Sequence, residues 1–152
     1  GSMTSLWDRP GYLVRRLHQI HVAMFLEECA AFGITPVQYA VMTALLNRPG
    51  ADQVTIARDA GIDRTNVADV LARLDQRGLI HRETSKEDRR QRIAHLTPEG
   101  DRVAREMEHA SLSAQSKFMA PLSDEKQTQL MSLMTDLVEA NNEFSRAPAS
   151  EK

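Results

Sequence analysis

Hydrogen-bonding side chains cluster in the segment that follows Asp63. If this segment is helical, its outward face carries Arg64, Thr65, Asn66, Asp69 and Arg73. In the major groove of DNA, arginine can donate two hydrogen bonds to guanine, asparagine can pair with adenine, and an acidic side chain can accept from cytosine. Threonine can contact a thymine methyl group or a phosphate, and Arg73, about two turns further along, is better placed for a phosphate. The spacing therefore indicates a surface able to read base edges.

Positive charge is concentrated a little further along the chain. A polar stretch carries Lys86, Arg89, Arg90 and Arg92, with Glu87 and Asp88 between them. Basic charge on a thin projection suits the negative potential of a narrow minor groove. The segment from position 53 to position 96 holds nine Lys and Arg against seven Asp and Glu, whereas the whole chain has a net charge of -2. A polar helix face or a basic loop alone is typical of a solvated surface, but the two in succession favour DNA binding.

A third group of residues combines aromatic rings with cations near the predicted first and second helices. It consists of Trp7, Tyr12, Arg15, Arg16 and His18 on or before the first helix, and Tyr39 and Met42 on the second. Arginine binds a carboxylate or a phosphate while rings stack, so this mixture suits an aromatic carboxylic acid or its coenzyme A thioester. Trp7 and Tyr12 would suit a dimer interface equally well.

Metal binding and thiol chemistry are less favoured interpretations. His18 and His21 are three residues apart, which lets two imidazoles meet one metal ion. No H-E-x-x-H motif or second histidine cluster accompanies them, so we expect packing, ligand contact or an interface role, with no metal and no cofactor. Cys29 is expected to be a buried thiol rather than an oxidant sensor, because Glu27 and Glu28 would raise its pKa.

Capping signals divide the chain into the elements that must position these groups. Thr35, Pro36 and Gln38 form a predicted capping box, and Asp52 and Asp63 are suitable N-caps. We predict helices from Pro10 to about Ala31, from Thr35 to about Asn47, from Asp52 to Gly61, from Asp63 to Gly78, from Thr97 to Pro121, and from Ser123 onward. Runs 79–84 and 91–96 are partly β-branched and flank a polar tip, which predicts a hairpin with His81 and His95 facing each other.

The first and last predicted helices carry apolar residues on two faces. In the first, Leu17 and Phe25 belong to neighbouring stripes. In the last, the two-face spacing is repeated by Leu130, Leu133, Met134, Leu137 and Val138. A helix of a small domain that is apolar on two faces can bury one against its own core and the other against a second subunit. The pattern therefore predicts association.

These motifs together resemble the winged helix-turn-helix of MarR-type transcription regulators. The resemblance lies in the run DRTNVADVLARLDQRG at 63–78, the following Leu79-Ile80, the DRR at 88–90 and the LTPEG at 96–100, with TPxQ at 35–38 and LSxE at 122–125 further out. It implies one domain over 1–152, with dimerisation helices at 6–32 and 101–146 around a winged helix-turn-helix at 35–98. It also implies that Asp88 steadies the wing, that Arg89 and Arg90 lie at its tip, and that Arg90 enters the minor groove.

Composition excludes several other classes of protein. A chain of 152 residues with 41% hydrophobic and 26% charged residues fits one globular domain, and it has no apolar run of the length that spans a bilayer. Gly1 and Ser2 before Met3 suggest an expression scar, no signal-peptide pattern follows, and the Pro-Ala-Ser-Glu tail is expected to be disordered. We expect a cytoplasmic protein that contacts no membrane. Because neither a nucleophile elbow nor a glycine-rich phosphate loop is present, we expect no enzyme.

The resulting expectation is a mainly α-helical protein with a small β-hairpin wing. It is a homodimeric repressor that binds a pseudo-palindromic duplex and is released by a small aromatic acid or its coenzyme A thioester. Two alternatives stay open: a helical small-molecule or acyl-thioester binding protein that never touches DNA, and a metal-responsive regulator using His18 and His21. The acidic overall charge motivates the first of these.

Overall fold

The computed structural model describes residues 3–144. The suspected scar at Gly1 and Ser2, the tail, and the last two positions of the predicted 101–146 helical segment lie outside the described residues. Within that range the chain forms six α-helices and one antiparallel hairpin. They are α1 (Pro10–Glu28), α2 (Pro36–Asn47), α3 (Gln53–Ala60), α4 (Arg64–Gln76), β1 (Ile80–Thr84), β2 (Arg92–Leu96), α5 (Pro98–Met119) and α6 (Asp124–Ala140). The predicted fold class, mainly helical with a small hairpin wing, is confirmed.

Side-chain caps start the helices where the sequence predicts. Thr35 Oγ1 accepts from the Gln38 amide at 3.1 Å while the Gln38 side chain accepts from the Thr35 amide at 3.0 Å, which completes the capping box. Asp52 accepts from the Thr55 amide at 2.8 Å in the same way. These bonds satisfy backbone donors that have no partner inside the helix.

The first helix ends earlier than predicted. It stops at Glu28, and a 3-10 turn at Ala30–Phe32 leads to Gly33, which has a φ of +62°. Residues with side chains rarely adopt this left-handed conformation, so glycine allows the chain to reverse direction into α2. The predicted end at about Ala31 is therefore too late, because the last turn before Gly33 is not α-helical.

The wing is joined to the helix-turn-helix on both sides. His81 pairs with His95 in the register of β1 and β2, as predicted. On the other side of β2, the amide of Gly50 donates to the Ala94 carbonyl at 3.0 Å and the Ala94 amide donates to the Ala51 carbonyl at 3.1 Å. The loop before α3 therefore acts as a short third strand at the base of the wing.

The hydrophobic core lies between α2, α3, α4, the base of the wing and the first half of α5. Gly100 makes this packing possible, because a Cβ atom there would overlap the carbonyl oxygen of Leu79. No described residue of α6 is buried, and α1 buries Phe25 while Val14 and Leu17 stay exposed. One apolar face of each terminal helix is thus uncovered within this protomer.

Candidate DNA-binding surface and ligand cleft

The N-terminal end of α4 presents the predicted base-reading residues to solvent. Val67, Leu71 and Leu74 are buried, which turns the opposite face of the helix outward. Arg64, Thr65, Asn66, Asp69 and Arg73 are all exposed. Because the amide dipoles give a helix N-terminus partial positive charge, this end is favourable for a phosphate.

Asp63 holds the first turn of this helix and also engages one of the predicted DNA contacts. Its Oδ1 accepts from the Thr65 amide at 2.9 Å and from the Thr65 hydroxyl at 3.0 Å. The hydroxyl proton of Thr65 is thereby directed into the protein, while its methyl group and lone pairs can face a ligand.

Two predicted DNA contacts form an ion pair with each other. Arg73 Nε lies 3.1 Å from Asp69 Oδ2, one helical turn away, and both side chains are largely exposed. Asp69 therefore neutralises Arg73 in the protein without DNA. Such a pair at (i, i+4) on a surface is weak, so DNA can replace either partner.

The tip of the wing is a folded turn rather than a loose loop. Ser85 is buried, and its Oγ accepts from the amides of Glu87 and Asp88 at 3.3 Å each while donating to Glu87 Oε2 at 3.1 Å. The Ser85 amide donates to the Gln91 carbonyl at 2.9 Å, which closes the turn. Ser85 was not among the predicted site residues, although a serine two residues before an acidic pair can form such turns.

Asp88 orients Arg90 at the end of the wing. Its Oδ1 accepts from the Arg90 amide at 3.0 Å, and its two oxygens accept from Arg90 Nε at 3.1 Å and Nη2 at 3.2 Å. The side-chain and backbone hydrogen bonds from Arg90 lower the pKa of Asp88 below its ordinary value. The Arg90 side chain is 91% exposed and Arg89 is exposed beside it, so both can reach a groove.

Two further arginines connect α4 to its surroundings, and sequence reasoning missed both. Arg82 on β1 contacts Asp75 near the end of α4 at 3.0 Å. Arg77, just after α4, donates to the carbonyl oxygens of Phe32 and Gly33. Opposite charges on either side of the Gly78 turn are a signal for the first contact, but the second joins segments far apart in the sequence and has none.

A cleft of about 800 Å³ opens between the α1 and α5 pair and the α2 and α3 pair. Its lining mixes rings, small polar groups and cations: His21, Phe25, Tyr39, Thr43, Asn47, Arg48, Arg58, Asp59, Ser111 and Gln115 are among the residues. The ring of His21 stands edge-on to Phe118 with centroids 5.5 Å apart, and Arg48 Nε pairs with Asp59 Oδ2 at 2.6 Å. Such a lining can hold a small aromatic anion.

The predicted ligand residues are not brought together around this cleft. Of the seven, Tyr39 lines it. Met42 is completely buried, because α2 is packed on more than one side, and it therefore packs in the core instead of offering surface to a ligand. Trp7, Tyr12, Arg15, Arg16 and His18 lie toward the exposed start of α1, where Trp7 stacks edge-on to Tyr12 at 5.7 Å and Arg15 lies over the Tyr12 ring. Their roles stay predictions.

Metal binding, membrane insertion and thiol chemistry were also considered for the described part of the chain. Residues 3–144 contain no group of three or more His, Cys, Asp or Glu side chains able to hold a metal ion. In the same range, no helix combines the length and apolarity needed to cross a bilayer. Cys29 is buried, and its pKa is raised by desolvation first and by the charge of Glu28 second.

A helix-turn-helix that ends in an exposed helix and is joined to an arginine-tipped hairpin is the architecture of a winged helix-turn-helix protein. Residues 34–91 match the MarR family. The chain is 32% identical over 136 residues to the transcriptional regulator HosA of Escherichia coli O111:H-, an alignment that covers 90% of this chain and 99% of HosA. The chain therefore belongs to the MarR family of transcription regulators, and the expected class, a regulator and not an enzyme, is confirmed.

Solved structures support the same assignment. The PcaV regulator from Streptomyces coelicolor, in complex with its natural ligand, superposes with a TM-score of 0.85 at 34% identity, covering 92% of this chain and 99% of PcaV. BpsR from Bordetella bronchiseptica, whose DNA binding is regulated by 6-hydroxynicotinic acid, superposes with a TM-score of 0.86 at 25% identity, covering 91% and 99%. The arrangement of winged domain and terminal helices is thus shared along nearly the full length.

Proposed function

We propose that this MarR-family regulator is a homodimeric, sequence-specific repressor that a small aromatic carboxylate or its coenzyme A thioester releases from DNA. The observation that carries the proposal is the pairing of an exposed base-reading face on α4 with an exposed, Asp88-oriented Arg90 on the wing. The first can enter a major groove while the second reaches the adjacent minor groove. As a regulator it acts where the chromosome lies, which we take to be the cytoplasm.

Uncovered apolar surface on the terminal helices supports the homodimer. Val14 on α1 is 63% exposed, as is Leu137 on α6, and Leu133, Met131 and Val138 add to the same kind of surface. Exposed large apolar side chains that recur along one helix are typical of interaction sites in soluble proteins. Two copies joined through these helices would present two recognition helices, which a pseudo-palindromic operator requires at a separation of roughly 34–36 Å.

The cleft beside α1 supports an effector of the aromatic acid class. Its arginines can bind a carboxylate, and Phe25, Tyr39 and His21 offer rings for stacking. Regulation of BpsR by 6-hydroxynicotinic acid is an instance of such chemistry in a related protein. A free acid and a coenzyme A thioester both remain in the proposal, and a thermal-shift comparison of the two forms distinguishes them because a ligand selective for the folded state raises its apparent stability.

The proposed mechanism is a population shift. A ligand that fills the cleft between α1 and the winged domain favours a spacing of the recognition helices that no longer matches successive major-groove sites. It can do so only by binding the two arrangements with different affinity, and linkage then requires DNA to weaken the ligand by the same factor. Equal ligand affinity for free and operator-bound protein would refute the mechanism.

Gel shift with DNA from upstream of the protein's own gene tests the proposal directly. We expect a specific complex that 6-hydroxynicotinic acid or another aromatic acid dissociates, and a dimer mass by light scattering. Ligand binding without any DNA complex would support the alternative of a small-molecule binding protein, which family membership disfavours. Elemental analysis of the purified protein tests the metal-responsive alternative.

A further inference from the structure

Arg77 joins the C-terminal end of the recognition helix to the turn between α1 and α2. Its Nη1 donates to the Gly33 carbonyl oxygen at 2.8 Å and its Nη2 to the Phe32 carbonyl oxygen at 2.9 Å. The partners are 44 and 45 residues away in the sequence. The contact is therefore tertiary, although Arg77 itself is the C-cap residue of α4.

The two carbonyl groups suit a guanidinium in particular. They belong to Phe32 and Gly33, at the end of the 3-10 turn that follows α1. The left-handed backbone conformation of Gly33 determines the direction of the Gly33 carbonyl group. Carbonyls at the end of a helical turn have no amide partner further along the chain. A planar guanidinium offers two donors in a fixed geometry, so engaging both carbonyls restrains orientation as well as distance, which a single ammonium group cannot do.

A restraint at this end of α4 has its largest effect at the other end, where the base-reading residues lie. The 13 residues of the helix span about 20 Å, so a tilt of about 5° at Arg77 would move Arg64 by roughly 2 Å. A hydrogen bond to a base edge tolerates only a few tenths of an ångström of such displacement. Contacts to phosphates by flexible, exposed side chains are less demanding.

We propose that Arg77 is a positioning residue that fixes the angle of α4 against the α1–α2 turn and thereby sets operator specificity. This inference rests on the proposed sequence-specific DNA binding. It assigns to Arg77 no contact with DNA. Loss of the double hydrogen bond should therefore reduce the preference for the operator while leaving general DNA affinity in place.

Arg77→Lys tests the proposal because it keeps the charge and removes the paired donors. The operator is first selected by the wild-type protein from a pool of random duplexes, and a scrambled duplex of the same composition serves as the non-specific probe. We expect the affinity of Arg77→Lys for the operator to fall about three- to tenfold, while its affinity for the scrambled duplex stays within about twofold of the wild-type value. The slope of log affinity against log salt concentration should not change, because the charge is kept. Arg102→Lys on α5 is the matched control, since Arg102 also makes two side-chain ion pairs, with Glu99 and Glu106.

The results of this experiment distinguish a failure of the proposed function from a failure of the proposed role of Arg77. Absence of any selected sequence with the wild-type protein would refute the proposed function itself. A wild-type operator preference that Arg77→Lys retains would overturn the role of Arg77. Equal losses on both duplexes would also overturn it, since they would mean that Arg77 touches the DNA backbone. A thermal unfolding midpoint for Arg77→Lys equal to that of the wild-type protein excludes a folding defect. If the midpoint is lower, Arg77→Lys and Arg77→Gln must both show the loss of operator preference at a temperature where both variants are folded.

Discussion

Removing the guanidinium of Arg90 should change how steeply DNA binding depends on salt. The side chain is 91% exposed and bonded to Asp88 on the same turn, so Arg90→Ala leaves the core intact. Each protein cation that neutralises a phosphate contributes about −0.9 to the slope of log affinity against log salt concentration. A dimer with two wings on the operator should therefore lose about 1.8 from the magnitude of its slope.

The size of this effect makes it measurable by fluorescence anisotropy. Between about 50 and 200 mM salt, a slope smaller by about 1.8 means that the affinity of Arg90→Ala falls roughly tenfold less than that of the wild-type protein. Arg105→Ala is the control, because Arg105 is an exposed arginine paired with Asp101 on α5 and its loss changes the net charge equally. Parallel slopes for wild type and Arg90→Ala, or an equal flattening by Arg105→Ala, would contradict a wing that grips DNA through Arg90.

Three further predictions concern the same surface and its support. Because Arg90 lowers the pKa of Asp88, the ionised Asp88 carboxylate stabilises the fold above its ordinary pKa, and this stability is lost as the pH falls through the lower pKa of the folded state. In Arg90→Ala, a carboxyl NMR titration should therefore give Asp88 a higher pKa, closer to the ordinary value of 3.8. A pKa of Asp88 that is the same in Arg90→Ala and in the wild-type protein would refute the pairing. Asp69→Asn should release Arg73 and strengthen binding to a scrambled duplex by about two- to fivefold while lowering operator preference, whereas unchanged affinity for that duplex would mean that the ion pair does not restrain Arg73. Gly100→Ala places a methyl group against the carbonyl oxygen of Leu79 and should lower the free energy of unfolding, measured by urea titration, by about 1–3 kcal/mol. An unchanged free energy of unfolding would mean that α5 can move away from Leu79 without cost.

The caps and the hairpin could be predicted because they depend on residues that are near one another in the sequence. Thr35 finds its partner three positions on, and Asp63 two positions on. The two runs that flank the polar tip are close in the sequence, so the pairing of His81 with His95 could be predicted although no turn motif specifies the register. The resemblance to the family then indicated α4 as the helix that is predicted to read DNA.

The cleft and the Arg77 contacts could not be predicted in this way. Arg48 and Arg58 enter the cleft only because α2 and α3 pack at a particular angle, and no local pattern encodes that angle. Met42 occupies a helical position that looks half-exposed in the sequence, yet helices pack on both sides of α2 and bury it. In the proposed homodimer, residues at the start of α1 would contact the second copy of the chain. The sequence of one protomer does not specify which residues of the partner surround them.

Hydrogen bonds along both edges of β2 have a geometric consequence for operator choice. With β1 on one edge and the loop at Gly50 and Ala51 on the other, the stem of the hairpin has little freedom to hinge against α3 and α4. We therefore expect the distance from Arg89 and Arg90 at the wing tip to α4, the predicted DNA-reading helix, to stay nearly constant within one protomer. In the proposed homodimer, a change of operator spacing or an effector would therefore have to alter how the two winged domains are placed relative to each other, and not the shape of either domain.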